Sequence, residues 1–173
     1  MILPFGETKP QLGSRVYIAE SADIIGQVIL GDEASVFFQS VIRADINSIS
    51  IGARSNIQDH CVLHVASNLG VEIGEDVSIG HGCIVHACIL RDRILVGMGS
   101  IIMDGVEVES DCLIAAGSLL AKGKKFPARS LIMGSPARVI RALTDDEVAS
   151  LKKLAEKYIR VKDVYLHSKP WAG

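Results

Sequence analysis

Apolar residues recur along this chain at a fixed interval of six. From Ile24 the sequence divides into "IIGQVI", "LGDEAS", "VFFQSV" and "IRADIN". It resumes after Ser48–Ser50 as "IGARSN", "IQDHCV" and "LHVASN". After Leu69–Glu72 it continues as "IGEDVS", "IGHGCI", the five-residue "VHACI", "LRDRIL", "VGMGSI", "IMDGVE", "VESDCL" and "IAAGSL". The first position of each hexad is aliphatic. The second is often glycine (Gly31, Gly52, Gly74, Gly80, Gly97), and the fifth is usually small (Ala34, Ser40, Ser55, Cys61, Cys83, Ser100, Cys112, Ser118). A hexapeptide period of this kind predicts a parallel β-helix, in which each hexad is a short strand plus a corner and three hexads close one coil of a triangular prism. Aliphatics at position one fill the axis, and small residues at position five fit the crowded interior. Cys61, Cys83 and Cys112 therefore read as small core residues rather than as reactive thiols or disulfide partners.

Past "GSPARVIRAL" the period changes. Thr144 and Glu147 stand at capping-box spacing. Val148, Leu151, Leu154, Ala155 and Tyr158 then recur at helical spacing. The chain thus divides into a hexapeptide-repeat domain over residues 1–143 and a C-terminal helix over 144–173, packed on an outer face of the prism.

The prism turns sequence position into geometry. Every third hexad lies on the same face, so one column of position-two residues reads Ile25, Arg43, His64, His86, Met103, Ala121. Neighbours in a column are about 4.8 Å apart, the strand spacing. His64 and His86 should therefore stack on adjacent coils and point outward together, as two ligands of one metal would. His81, in the same stretch "VSIGHGCIVHAC", belongs to the preceding face, whose position-two column is Phe37, Gln58, Gly80, Gly97, Ala115. It sits one coil beyond Asp59. His81 can share a site with His86 only if another subunit brings its His81 face to this chain's His86 face, and a three-faced prism makes a cyclic trimer natural. Both insertions and the one-residue shortening before Leu90 fall at the corner after the His64/His86 face, and irregularities of a repeat array gather on its binding side. His60 and His167 lack such partners and read as surface residues.

Composition changes this picture little. The chain has 173 residues and a formal net charge of -2, which advertises neither a nucleic-acid nor a membrane-surface partner. Its start, "MILPFGETKP", has no basic segment followed by an apolar run, so no signal peptide or membrane span is expected and the cytoplasm is the expected compartment.

The blocks "VIRADIN", "SNIQDHCVLHV", "IGEDVSIGHGCIVHACIL", "LVGMGSIIMDGV" and "LIMGSPARVIR" resemble the γ-class carbonic anhydrase-like proteins, over nearly the whole chain. The resemblance implies a left-handed β-helix, a homotrimer, and one Zn²⁺ at each subunit interface. It implies His64 and His86 of one chain and His81 of its neighbour as the metal ligands. It further implies that Arg43 and Asp45 support the interface, that Gln58 and Asp59 surround the site, and that Tyr165 reaches it from the terminal helix. Three imidazoles also accept Fe²⁺ or Co²⁺. The implied reaction is reversible hydration of CO2 to bicarbonate; a zinc-bound water titrates near about 7, a value taken from carbonic anhydrases in general and not read from this chain. The chain departs from the best-studied form of the class in its proton route. Ile46 follows Asp45 where a glutamate would stand, and the loop after His64 is only "ASNLGVE". Two other functions compete: a hexapeptide acyltransferase, which needs one histidine as general base, and a non-catalytic metal-binding trimer or assembly subunit.

Overall fold

The computed structural model describes residues 1–168; the last five residues of the expected helical segment lie outside the described residues. Strands pair in parallel from coil to coil, and position one always meets position one. On the first face Ile24 lies opposite Ile42, Ile42 opposite Leu63, Leu63 opposite Val85, Val85 opposite Ile102, and Ile102 opposite Leu120. All of these are buried in the single apolar core. The hexad reading is thus met in register as well as in pattern. The coils also extend beyond it. Ile2 pairs with Ile24, Leu12 with Leu30 and Ile18 with Val36 at one end, and Val108 pairs with Phe126 at the other.

Two faces belong to one 12-stranded sheet and the third is an eight-stranded sheet. The strand Val41–Ile51 joins the first two by running through the corner between them. Its pairing with Asp23–Leu30 shifts between Gly26↔Ala44 and Val28↔Ile49, so three extra residues bulge outward there. The second insertion makes a tight turn bridged between Ala66 and Leu69, and Asn47 Nδ2 donates to the carbonyls of Ala66 and Ser67 at 3.3 Å each. Both insertions therefore stand together on the corner that the repeat analysis singled out.

The position-two glycines answer to crowding between coils. A Cβ added at Gly80 would lie 2.7 Å from the Val96 carbonyl oxygen, and one at Gly97 would lie 2.4 Å from the Ala116 nitrogen. Position four carries a rule that hydrophobicity does not reveal: it turns the corner in the left-handed region. Arg15, Glu33, Arg54, Asp76, Arg93, Asp111 and Arg129 all have φ between 53° and 64°. These residues stack along one corner with alternating sign. Arg15 pairs with Glu33 at 2.7 Å, Arg54 with Asp76 at 2.8 Å, and Arg93 with Asp111 at 2.6 Å. Beyond them Arg129 pairs with Asp145 at 2.5 Å, at the start of the helix.

Helix α1 spans Asp145–His167 and starts on the full capping box, with Thr144 Oγ1 accepting from the Glu147 backbone and Glu147 accepting from the Thr144 backbone. Two hydrogen bonds from the Arg141 guanidinium, the largest influence, and the cap itself push the Glu147 carboxyl down to about 2. The helix buries Leu151, Ala155 and Lys162 against the prism, and Phe37 meets Tyr158 edge-on at 5.6 Å. Lys162 is fully buried. Its ammonium sits 2.5 Å from Glu33 and 2.7 Å from Asp163, and Arg15 reaches both carboxylates at 2.7 Å. This four-member cluster clamps the helix to the charged corner.

The clamp sets a pH dependence. Hydrogen bonds from Lys162 hold both the Glu33 and the Asp163 carboxyls below their ordinary values, against an opposing effect of burial. A depressed carboxyl stabilises the fold above its unfolded pKa, and that contribution is lost as pH falls through the lower, folded value. Thermal unfolding followed by circular dichroism should give a melting temperature that is flat from about pH 7 to about 5 and falls below about pH 4. Glu33→Gln should shrink that acid fall; an acid limb identical to wild type would remove the clamp from the account.

Candidate metal centre

The strands Val62–His64 and Ile84–His86 lie side by side with His64 opposite His86, and Arg43 lies opposite His64 on the other side. The rings face each other, with His64 Nδ1 3.1 Å from His86 Nε2. The remaining ring nitrogens both point at carboxylates. His64 Nε2 lies 3.1 Å from Asp45 Oδ1, and His86 Nδ1 lies 2.6 Å from Asp104 Oδ1. Asp45 also pairs with Arg43. Burial raises the Asp45 carboxyl, but the hydrogen bonds from His64 and Arg43 outweigh it and hold Asp45 below the ordinary range.

An ionised carboxylate only accepts hydrogen bonds. In the tautomer in which each histidine gives its N–H to its aspartate, His64 Nδ1 and His86 Nε2 are both left with lone pairs. Two lone pairs 3.1 Å apart repel unless a proton or a cation lies between them. The separation also matches that of two nitrogen ligands on a tetrahedral ion: with metal–nitrogen distances of about 2.0–2.1 Å, they stand roughly 3.3 Å apart.

His81 is built the same way on another face. It follows the strand Ser78–Ile79, one coil after Asp59, and its Nδ1 lies 2.8 Å from Asp59 Oδ2. The outward Nε2 is then the free lone pair. Asp59 is fixed in turn by the Phe38 backbone N–H at 3.1 Å. Helix α1 passes over this corner, and its Lys157, Tyr158, Val161 and Tyr165 line, with Phe37 and Phe38, an open depression of about 340 Å³ that also touches His81 and Asp59. Tyr165 stacks on Tyr17 at 5.3 Å and meets Phe38 edge-on at 5.4 Å.

The other expected residues are distributed as follows. Gln58 is buried, and its amide donates to Asn56 Oδ1 at 3.2 Å, while Asn56 donates to Ser78 Oγ at 2.8 Å. Cys61, Cys83, Cys88 and Cys112 are buried and free, and burial pushes the Cys88 thiol up to about 12. His60 and His167 are exposed. Asp104 was not among the sequence candidates. Its signal was present: it stands on the coil after His86, one residue beyond the histidine column. Among the described residues no group of three or more histidines, cysteines and acids within the chain is arranged to hold a metal. No helix among them is long and apolar enough to cross a membrane.

No family model matches the chain. The chain is 36% identical over 165 residues to a mitochondrial γ carbonic anhydrase 2 of Arabidopsis thaliana, covering 92% of this chain but only 59% of that longer protein. It is 39% identical to a carbonic anhydrase of Geobacillus kaustophilus, covering 95% of this chain and 91% of that one. Among solved structures, a hexapeptide transferase family protein from Anaplasma phagocytophilum superposes with a TM-score of 0.92 at 41% identity, over 95% of this chain and 98% of that chain. Its hexapeptide coils, its facing histidine pair and its near full-length match to the Geobacillus protein together make this chain a member of the γ-class carbonic anhydrase-like family of left-handed β-helix proteins.

Proposed function

We propose that the chain hydrates carbon dioxide reversibly to bicarbonate, with a zinc-class ion shared between subunits of a homotrimer. The observation that carries the proposal is the facing pair of ring nitrogens of His64 and His86, 3.1 Å apart, each imidazole held from behind by a carboxylate. His81, held the same way by Asp59, is the third donor, and it belongs to the partner subunit because it faces away from the pair within one chain. A zinc-class ion on three imidazoles makes water a competent nucleophile at neutral pH, which is the chemistry that hydration requires.

The chain's own residues do the rest. Asp45, Asp104 and Asp59 fix the tautomer and tilt of the three rings. Arg43 pairs with Asp45 and keeps that carboxylate ionised beside His64. Gln58 and Tyr165 lie on the His81 face, Gln58 in a buried hydrogen-bonded string and Tyr165 as an aromatic wall. Assembly has its own support. Val62, Ile84 and Ile101 stack in register on the histidine face and are 42%, 44% and 39% exposed. An exposed aliphatic column beside two ligands is the surface that a second copy would cover.

One observation favours a second reading. His81 and Asp59, 2.8 Å apart at the edge of a cavity, also form a base with its orienting acid, as an acyltransferase would use. Metal content separates the two. Purified protein should hold roughly one zinc-class ion per chain and hydrate CO2 in a stopped-flow assay; metal-free protein that turns over acetyl-CoA would establish the acyltransferase instead.

His64→Ala should lose the metal and stay folded, because the side chain points out of the core. A variant that keeps stoichiometric metal would show the ligand assignment to be wrong. Asp104→Asn should keep the metal site but weaken it by about 10- to 100-fold in a chelator competition, the usual cost of removing a carboxylate behind a ligating histidine. Unchanged affinity would detach Asp104 from the site.

A further inference from the structure

The prism opens on a groove that the repeat does not fill. The strands Ile2–Leu3 and Gln11–Leu12 begin the first coil, and each pairs with Asp23–Leu30 alone, so no further strand covers them among the described residues. Where helix α1 ends beside this coil lies a groove of about 800 Å³, walled by Ile2, Leu12, Val16, Ile18, Phe38 and Leu166. Ile2, Leu12 and Leu166 are large apolar side chains, yet they are 50%, 44% and 42% exposed. The groove is open along its length, which suits an extended stretch of chain better than an enclosed small molecule. None of the three histidines of the metal centre lines it.

The chain itself supplies an occupant. Ser168 caps α1, lines the groove and leaves the helix in extended backbone, with φ -78° and ψ 135°. The segment that follows, "KPWAG", lies outside the described residues. In sequence terms Pro170 cannot continue a helix and biases Lys169 towards extended backbone. Trp171 comes three residues after Ser168, about 10 Å of extended chain, so its indole can reach the apolar walls. Burying an aromatic ring of this size removes roughly 150–250 Å² from water. Charge agrees as well. Glu20 lines the same groove without an ion pair among the described residues, and Lys169 is the first residue past Ser168.

We propose that the segment Lys169–Gly173 folds back into this groove of its own chain, with the Trp171 indole against Leu12, Ile18 and Leu166 and the Lys169 ammonium beside Glu20. The segment closes the open end of the prism and holds down the last turn of α1. The inference stands apart from the hydratase reading, and its test does not depend on metal.

Trp171 is the only tryptophan of the chain, so the tryptophan fluorescence of the full-length protein reports on this segment alone. Native emission should be blue-shifted from that of the chain unfolded in guanidinium chloride, and acrylamide should quench it at least about threefold less, as for a ring taken out of water. Leu12→Asp, at an exposed position on an edge strand, should return emission and quenching towards the unfolded values while far-ultraviolet circular dichroism stays native. Glu20→Lys, a surface change that keeps the test alive if Leu12→Asp fails to fold, should move both in the same direction by a smaller amount. Leu12→Asp chains refolded with an excess of Trp171→Phe chains, whose grooves are intact, should stay red-shifted. The proposal is overturned if native Trp171 emits and is quenched as in the unfolded chain, or if either folded variant leaves it unmoved, since the ring then lies elsewhere. Recovery of the blue emission in the mixture overturns it too, because the segment then sits in the groove of a neighbouring subunit.

Discussion

Burial of one aliphatic side chain every six residues, stacked on its counterpart a coil away, is the constraint on which the molecule depends. Position one meets position one along every face, so each other position of the hexad also falls into a column. The columns turn distant residues into neighbours. His64 and His86 meet because Leu63 and Val85 are locked at the axis beneath them. Asp59 and His81 meet because Ile57 and Ile79 are locked in the same way. The charged corner reinforces this register from outside, through alternating signs at position four.

The same rigidity holds the two histidine rings face to face. Each ring is pinned by a backbone inside a sheet and by a carboxylate behind it, so it cannot rotate away from its neighbour without giving up a hydrogen bond. On the proposed function, a scaffold that presents two ring nitrogens to one point and a third on a different face needs a second copy to complete its site. The exposed Val62, Ile84 and Ile101 lie where completion would bury them. Site and assembly are in this sense one feature of the surface.

Much of this was legible in the sequence, because a repeat converts spacing into position. The axis, the columns, the buried cysteines, the perturbed corner and the helix with its capping box all follow from residue type and interval. The terminal coils were less legible. The hexads from Leu12, with Gly13 at position two, and from Ile18, with Ala22 at position five, precede Ile24 in phase and pair in register, but the segment around Ile2 shows no such pattern. The charged corner was missed because its rule is one of backbone conformation and alternating sign, which hydrophobic patterning does not weigh. Asp104 was missed because it stands one place outside the column that drew attention to His86. Buried Lys162 was not legible, since its partner Glu33 lies far away in sequence and is brought near only by the packing of the helix.

The central claim is that one metal is shared between two chains, and subunit mixing tests it most directly. Homotrimers of His64→Ala lack a donor on one side of every interface, and homotrimers of His81→Ala lack one on the other, so neither should be active. When the two variants are unfolded and refolded together in equal amounts, about three quarters of the rings should be mixed, and each mixed ring has one interface joining an intact His64 to an intact His81 of the partner subunit. Carbon dioxide hydration should then recover to about a quarter of the wild-type rate, along with about a quarter of the metal. No recovery of either from demonstrably mixed trimers would contradict the intersubunit site.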